Sequence, residues 1–134
     1  MLVETSAIVA ILADEPEAGA LLAQIENAGT RETGAHVRLE ATINLARILG
    51  LEVTAAHDLY DGFLAAAGIA VVPITDAVAR RAVEAFATYG KGRGHPAHLN
   101  FGDCLSYACA VTSGEPMLFK GRDFAKTDLK AVES

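Results

Sequence analysis

Four carboxylates of this sequence have the residue type and the placement that metal-dependent chemistry needs: Glu4, Glu40, Asp103 and Asp123. Glu4 directly follows the first apolar segment, Asp123 comes shortly after the last one, and the other two fall near the beginnings of predicted helices. Carboxylates that meet in one cleft repel one another unless a divalent cation is present, and hard cations such as Mg²⁺ and Mn²⁺ prefer oxygen ligands. Such a cation can activate water and stabilise charge that builds up on a phosphodiester.

Three of these carboxylates also have a purely structural interpretation. Glu4 could be an acid at a helix entry, where it interacts favourably with the helix dipole. Asp103 lies three residues after Asn100, so this pair could form a variant of the capping box. Asp123 could be an ordinary turn residue within Gly-Arg-Asp. From spacing alone, capping is the favoured interpretation of Asp103.

Glu40 is harder to explain as a structural residue. In the predicted helix 36–49, Glu40, Asn44 and Arg47 form one polar stripe within ~70°, at ~100° per residue. Most other positions of this helix are apolar, which predicts that it is largely buried. Its polar stripe then faces either a thin strip of solvent or a cleft, and both alternatives remain open at this point.

Length and composition predict a single domain, residues 1–134, and exclude a disordered chain, since 51% of residues are hydrophobic and 21% charged. No apolar run approaches the ~18 to 20 residues of a membrane-spanning helix. The beginning of the chain lacks the basic region and the cleavage site of a signal peptide, which predicts a cytoplasmic protein. The net charge of −6 argues against broad electrostatic adhesion to nucleic acid or membrane. It does not exclude a nuclease that uses a bound metal and a local basic patch.

The two cysteines are predicted to be core residues. Cys104 and Cys109 lie five apart in one predicted helix, which separates their Cα atoms by ~7.5 Å or more. That distance is beyond the reach of a disulfide, and neither cysteine has partners at zinc-ligand spacing.

Apolar runs that alternate with helical periodicity predict an α/β fold with a parallel or mostly parallel sheet and helices on both faces. Ligands of such folds bind beyond the carboxyl ends of the strands. The segment 29–34 is predicted as a turn-rich break, 90–99 as a glycine-rich basic loop, and Thr54 as a possible N-cap. The predicted strands are 1–3, 70–74 and 117–120, and the predicted helices are 6–12, 16–27, 36–49, 54–67, 76–89 and 101–113.

Four segments carry a resemblance that spans essentially the whole chain: VETSAIVAILADEPEA (3–18), VRLEATINLARILG (37–50), GKGRGHPAHLNFGDCLSYACA (90–110) and EPMLFKGRDFAKTDL (115–129). The succession of HPAHLNFGDC and LFKGRDF is its most specific part. In this order the segments resemble a PIN-domain ribonuclease of the VapC toxin type, from bacterial toxin–antitoxin pairs. The resemblance implies a PIN-like fold and a metal-dependent endoribonuclease, with Mg²⁺ or Mn²⁺ as cofactor, that a cognate antitoxin holds inactive.

The resemblance also assigns roles to the acids. It carries the family's catalytic metal ligands onto Glu4, Glu40, Asp103 and Asp123. The family normally has Asp where this chain has Glu4, whose side chain is one methylene longer. Many relatives also place an acidic or amide residue where Arg122 stands.

Neighbouring polar residues are expected to support these acids. Thr5 and Ser6 match the family's hydroxyl pair beside the first acid, which usually orients that acid or its bound water. Asn100 is expected to support Asp103. If the carboxylates gather in a cleft, at least one of them should have a raised pKa, because its neighbours carry like charge.

A basic group is available for RNA phosphates despite the negative net charge. Its candidates are Lys91 and Arg93 in the loop 90–99, and Lys120 and Arg122 beside the last acid. The alternative is an ordinary solvated surface. His95 and His98 in the same loop could suggest general base catalysis or zinc, but carboxylates with a metal-bound water are favoured because no further soft ligand is near in sequence.

The resemblance further suggests a homodimer and an antitoxin-binding groove formed partly by the segment 8–25. That segment is rich in apolar residues for helices that must also cover a small sheet: Val9, Ile11, Leu12, Leu21 and Leu22.

Two other functions are considered. A PIN fold weakened in catalysis by Glu4 would act chiefly by binding RNA or antitoxin. A phosphatase of the haloacid dehalogenase type would need an Asp nucleophile two residues from a second Asp after the first strand, and Glu4-Thr5-Ser6 offers neither.

Overall fold

The computed structural model describes residues 1–132, in which short strands alternate with longer helices. The predicted helices 76–89 and 101–113 are confirmed with the predicted bounds. The strands are β1 (Leu2–Val3), β2 (Glu32–Gly34), β3 (Ala70–Val72) and β4 (Met117–Leu118). The helices are α1 (Thr5–Leu12), α2 (Ala18–Asn27), α3 (Val37–Leu49), α4 (Val53–Ala67), α5 (Asp76–Tyr89) and α6 (Phe101–Ser113), and a 3₁₀ turn follows at Phe124–Lys126.

The strands of the described chain form one sheet in the order β3-β2-β1-β4, with every pairing parallel, as predicted. In the central strand β1, Leu2 lies beside Glu32 on one side and beside Met117 on the other. The backbone N–H of Glu4 continues this pairing and donates to the Leu118 carbonyl at 3.0 Å. Residues that follow β1 and β4 therefore meet at one edge of the sheet.

Helices cover both faces of the sheet, which confirms the predicted α/β architecture. Successive side chains of a strand point to opposite faces, and in β1 Val3 packs with Ile8, Leu45 and neighbouring residues of α1 to α4. Leu2 packs on the other side with residues of α5 and α6, among them Tyr107. Cys104 and Cys109 are buried and form no disulfide, as predicted.

The interpretation of 29–34 as a turn-rich break is wrong, because this segment contains β2. The strand is specified by its neighbours rather than by its own composition. The buried Thr33 hydroxyl donates to the Val3 carbonyl at 2.7 Å, and the Glu32 N–H donates to the Met1 carbonyl at 2.9 Å. Pairing with β1 on one side and β3 on the other therefore outweighs the turn preference of Gly29 and Gly34.

The beginnings of α1 to α4 differ from the prediction by one or two residues. Helix α2 begins at Ala18, because Pro16 lies in the turn between α1 and α2. Thr54 is not the N-cap of α4: Glu52 holds that position in an extended conformation, without a side-chain capping bond. No helix among residues 1–132 has both the length and the apolar character to cross a membrane.

Helix α3 is less buried than its composition predicts. Ala41 and Leu45 are buried in the core, whereas Leu39 is 66% exposed and Ile43 54% exposed. The prediction of a largely buried helix is wrong because apolar residues occur around most of its circumference while only one side packs against the core.

The segment 8–25 covers the sheet and does not offer the surplus of apolar surface that its composition suggests. Ile8, Val9, Leu21 and Ile25 are buried in the core. Most of the exposed large apolar residues lie instead on the helices α3, α5 and α6; they include Leu39, Ile43, Val83, Phe86 and Phe101.

Candidate metal-binding cleft

A cleft of about 290 Å³ lies at the carboxyl edge of the sheet, and three of the four candidate acids line it. Glu4 directly follows β1, Glu40 lies in the first turn of α3, and Asp103 lies in the first turn of α6. Asn44 and Arg47 of α3 line the same cleft. The polar stripe of α3 therefore faces a cleft and not a thin strip of solvent.

Glu4 has the position that both interpretations require: its side chain caps α1, as a structural acid would, and it also lines the cleft, as a metal ligand would. Its carboxylate, on a residue only 3% exposed, accepts hydrogen bonds from the Ser6 backbone N–H at 2.8 Å and from the Ser6 hydroxyl at 2.5 Å. Burial raises the pKa of Glu4 to about 7, the Ser6 bonds oppose that rise, and the charges of Asp103 and Glu40 add to it. The raised pKa expected of at least one acid is therefore present, but its main cause is burial, and the like-charged neighbours make a smaller contribution.

Glu40 is held by Thr5, whose buried hydroxyl donates a hydrogen bond to its carboxylate. The two hydroxyls were both expected beside the first acid, but only Ser6 serves Glu4, whereas Thr5 reaches across to α3. The adjacent hydroxyls thus orient two different acids. The sequence could not show this, because neighbouring side chains at a helix start point in different directions.

Asp103 forms the capping box that its spacing favours, and it also lines the cleft. The Asn100 N–H donates to the Asp103 carboxylate at 3.0 Å, and the Asp103 N–H donates to the Asn100 side-chain oxygen at 2.9 Å. Burial raises the pKa of Asp103 to about 6, partly offset by the Asn100 N–H, with further contributions from the charges of Glu40 and Asp123. Asn100 therefore supports Asp103 as a partner in capping.

Asp123 stands apart from the other three acids. It is exposed, precedes the 3₁₀ turn and does not line the cleft, although its charge is near enough to contribute to the raised pKa of Asp103. The structure thus brings Glu4, Glu40 and Asp103 together and leaves Asp123 at the margin.

The carboxylates of Glu4, Glu40 and Asp103 fit a hard divalent cation, because such cations prefer oxygen ligands and the three acids carry like charge. Within residues 1–132, however, no three His, Cys, Asp or Glu side chains are already grouped closely enough to hold a metal ion. Each acid is turned towards its own donor, namely Ser6 for Glu4, Thr5 for Glu40 and Asn100 for Asp103. The cleft presents the ligand types, and their role as metal ligands remains a prediction.

The PIN domain family matches residues 1–130 of the chain. This chain belongs to the PIN domain family. Among its relatives, Ribonuclease VapC28 of Mycobacterium tuberculosis is 44% identical over 130 residues, which is 97% of this chain and 96% of the relative. Ribonuclease VapC of Mycolicibacterium smegmatis is 42% identical over 132 residues, covering 98% and 99% of the two chains.

A solved structure described as a toxin–antitoxin complex from Klebsiella pneumoniae matches with a TM-score of 0.65 at 17% identity. The match covers 92% of this PIN domain and 89% of that chain. At this identity the likeness concerns the fold, and it agrees with the parallel sheet described above.

The four basic residues predicted to contact RNA differ in whether their charge is already paired. Lys91, Arg93 and Arg122 are exposed. Lys120 lines the cleft, but its ammonium forms ion pairs with Glu15 at 2.8 Å and with Glu17 at 3.3 Å.

Arg47 lines the cleft, is exposed, and forms no ion pair within residues 1–132. Arg47 lies on the predicted polar stripe of α3 but had no predicted role, and its position seven residues after Glu40 was the available signal. His95 and His98 are not among the residues that line the cleft.

Proposed function

We propose that this PIN domain is a cytoplasmic endoribonuclease that hydrolyses RNA with Mg²⁺ or Mn²⁺ held by Glu4, Glu40, Asp103 and Asp123. The observation that carries the proposal is the delivery of three acids from three separate elements into one cleft, two of them with a raised pKa. The relatives, which are named ribonucleases and share 40–44% identity over nearly the full chain, support it.

The bound cation would supply activation of water and stabilisation of charge on the phosphodiester. The chain's own part is to hold the ligand oxygens in place. Ser6 fixes the Glu4 carboxylate and Thr5 fixes that of Glu40. Asn100 fixes Asp103 through the capping box.

The substrate phosphates are proposed to contact Arg47 on one wall of the cleft and the exposed group Lys91, Arg93 and Arg122 outside it. Lys120, which completes the proposed RNA-binding group, reaches a phosphate only when its ion pairs with Glu15 and Glu17 open. Of the two basic side chains that line the cleft, Arg47 is thus available to the substrate, whereas Lys120 is held in ion pairs.

Cleavage of total cellular RNA by the purified, antitoxin-free protein, with mapping of the new ends, tests this proposal. We expect cleavage with Mg²⁺ or Mn²⁺, its loss with EDTA, and its return when the metal is added back. Cleavage that persists in EDTA would contradict the metal role, and an absence of cleavage at every metal concentration would contradict the nuclease.

One observation favours the alternative of a catalytically weakened PIN fold that binds RNA or antitoxin. Glu4 stands where the family has Asp, and its pKa of about 7 leaves it partly protonated at neutral pH. RNA binding without turnover in the same experiment, at pH 8 as well as pH 7, would establish this alternative.

The proposed protein partner is a cognate antitoxin. A groove of about 330 Å³ between α1, α2 and α4 is lined by Ile11, Leu22 and Phe63. It includes part of the segment 8–25 that the sequence favoured for antitoxin binding. Loss of RNA cleavage on addition of the antitoxin, and its restoration by Leu22→Glu, would support this location.

A homodimer is proposed through the exposed apolar face of α3, α5 and α6, which includes Leu39, Ile43, Val83, Phe86 and Phe101. The groove between α5 and α6 and the groove between α3 and α6 share Phe101 and Leu105, and contiguous exposed apolar surface of this kind commonly marks a protein interface. Light scattering at micromolar concentration should give a dimer mass that Phe101→Glu lowers to that of a monomer. A strictly monomeric wild type would contradict the proposal.

A further inference from the structure

Gly102 is the residue of α6 that lies against the carboxylate of Glu40. A Cβ atom at this position would come within 2.8 Å of the Glu40 carboxyl carbon and 3.1 Å of one of its oxygens, with the second oxygen nearer still. Real Cβ atoms essentially never approach other heavy atoms closer than 3.0 Å. The Glu40 carboxylate can therefore lie in its present position only because residue 102 has no side chain.

The three nearest atoms to such a Cβ all belong to the end of the Glu40 side chain, which can rotate away. Gly90 provides the contrast, because a Cβ there would meet the backbone carbonyl oxygen of Phe86. A side chain at residue 90 thus disturbs the fold. At residue 102 the fold can stay as it is while the carboxylate moves.

We propose that Gly102 is a positioning residue for Glu40. Its missing side chain lets the carboxylate lie against the first turn of α6, while Thr5 fixes the same carboxylate from α1. Glu40 is thus held between two elements and kept within the cleft that Asp103 also lines. The consequence for metal binding and catalysis rests on the proposed function, whereas the placement of Glu40 does not.

The test compares Gly102→Ala with Gly62→Ala, a matched helical glycine of α4 whose added Cβ would meet nothing within 4 Å. Both changes favour the helix, so the thermal midpoint should stay equal or rise in each. Only Gly102→Ala should weaken Mn²⁺ binding, by about 10- to 100-fold in titration calorimetry, as for other residues that orient a ligand. In RNA cleavage it should lower kcat and leave KM nearly unchanged.

A second comparison asks whether the effect passes through Glu40. In a Glu40→Gln background, Gly102→Ala should cause no further loss of Mn²⁺ affinity. An equal loss in both backgrounds would overturn the proposal, because residue 102 would then act through Asp103 or the Asn100 cap.

A crystal structure of the Gly102→Ala variant separates this inference from the proposed function. We expect the Glu40 carboxylate to be displaced from the first turn of α6 with the backbone unchanged. A carboxylate in its original position would overturn the inference whatever the activity. A wild type that neither binds Mn²⁺ nor cleaves RNA would contradict the proposed function, and the crystal structure would still decide the role of Gly102.

Discussion

The Thr5 hydroxyl of α1 donates a hydrogen bond to the Glu40 carboxylate of α3, and so joins two elements that are 35 residues apart in the chain. Thr5→Val removes this donor and keeps the shape of the side chain. We expect kcat and Mn²⁺ affinity to fall about 10-fold, because an unsupported ligand loses its orientation. Thr42→Val is the matched control, since the buried Thr42 hydroxyl has no hydrogen-bond partner within residues 1–132. Equal activity of the two variants would contradict the role of Thr5.

Asp103→Asn separates capping from metal binding. The side-chain oxygen of Asn can still accept the Asn100 N–H in the capping box, so α6 should keep its first turn. Metal-dependent RNA cleavage should fall by at least about 100-fold, while stability without metal stays equal or rises, because one of several like charges is removed. The control is Asp76→Asn, which changes an exposed first-turn acid of α5 outside the cleft. An Asp103→Asn protein that cleaves RNA at the unmutated rate would exclude the metal-nuclease interpretation.

Stability without metal should depend on pH through Glu4 and Asp103. Their pKa values rise from 4.5 to about 7 and from 3.8 to about 6 on folding, so the folded state binds more protons than the unfolded chain in this window. The free energy of unfolding should therefore fall as pH rises from about 4 to 7.5, with a contribution from Glu4 of at most about 3 kcal/mol. Urea unfolding in EDTA measures it.

A divalent cation should reverse this trend, because it binds the deprotonated acids. The pH dependence in EDTA should also flatten in Glu4→Gln. A wild type whose stability rises steadily from pH 4.5 to 7.5 in EDTA would contradict the raised pKa of both acids.

Glu4→Asp shortens the acid by one methylene, to the residue type that the resemblance implies at this position. Asp is a good N-cap, so α1 should begin as before, and the shorter carboxylate should maintain or raise metal-dependent cleavage. Glu4→Gln keeps the length but removes the charge, and it should abolish cleavage. Single-turnover rates with Mg²⁺ compare the three proteins, and an active Glu4→Gln variant would remove Glu4 from the proposed ligands.

Arg47→Gln should raise KM for RNA several-fold with little change in kcat, because it removes a phosphate contact and leaves the acids untouched. The dependence of KM on salt concentration should also become weaker. Arg80→Gln is the control, since Arg80 is exposed on α5 and, within residues 1–132, forms an ion pair only with Asp76, at 2.8 Å. An identical KM for both variants would mean that the substrate does not pass along α3.

Local signals were enough to predict some elements and not others. The bounds of helices α5 and α6 are those predicted, and the structure shows a local signal at each beginning, since Thr75 and Asn100 are the N-caps. Strand β2 was missed because it is defined by its pairing with β1 and β3, and its own residues favour a turn. Composition likewise could not show which side of α3 packs against the core.

The candidate site was predictable in its acids and less so in what holds them. Glu4 and Asp103 were found because they follow a strand and open a helix, positions that a parallel sheet brings together. The partner of Thr5 depends on the packing of α1 against α3, which no local spacing reveals. Gly102 gives no signal either, since a glycine in the first turn of a helix is unremarkable until its neighbour is known.

The pairing of β4 with β1 has a consequence for the order of synthesis. The Lys120 N–H donates to the Ser6 hydroxyl at 2.8 Å, and Glu4 N–H bonds to Leu118, so the surroundings of an acid near the beginning of the chain are completed by residues near its end. During translation, the ribosome must release β4 before this edge of the sheet can close. A growing chain therefore cannot have a complete cleft until β4 has left the ribosome.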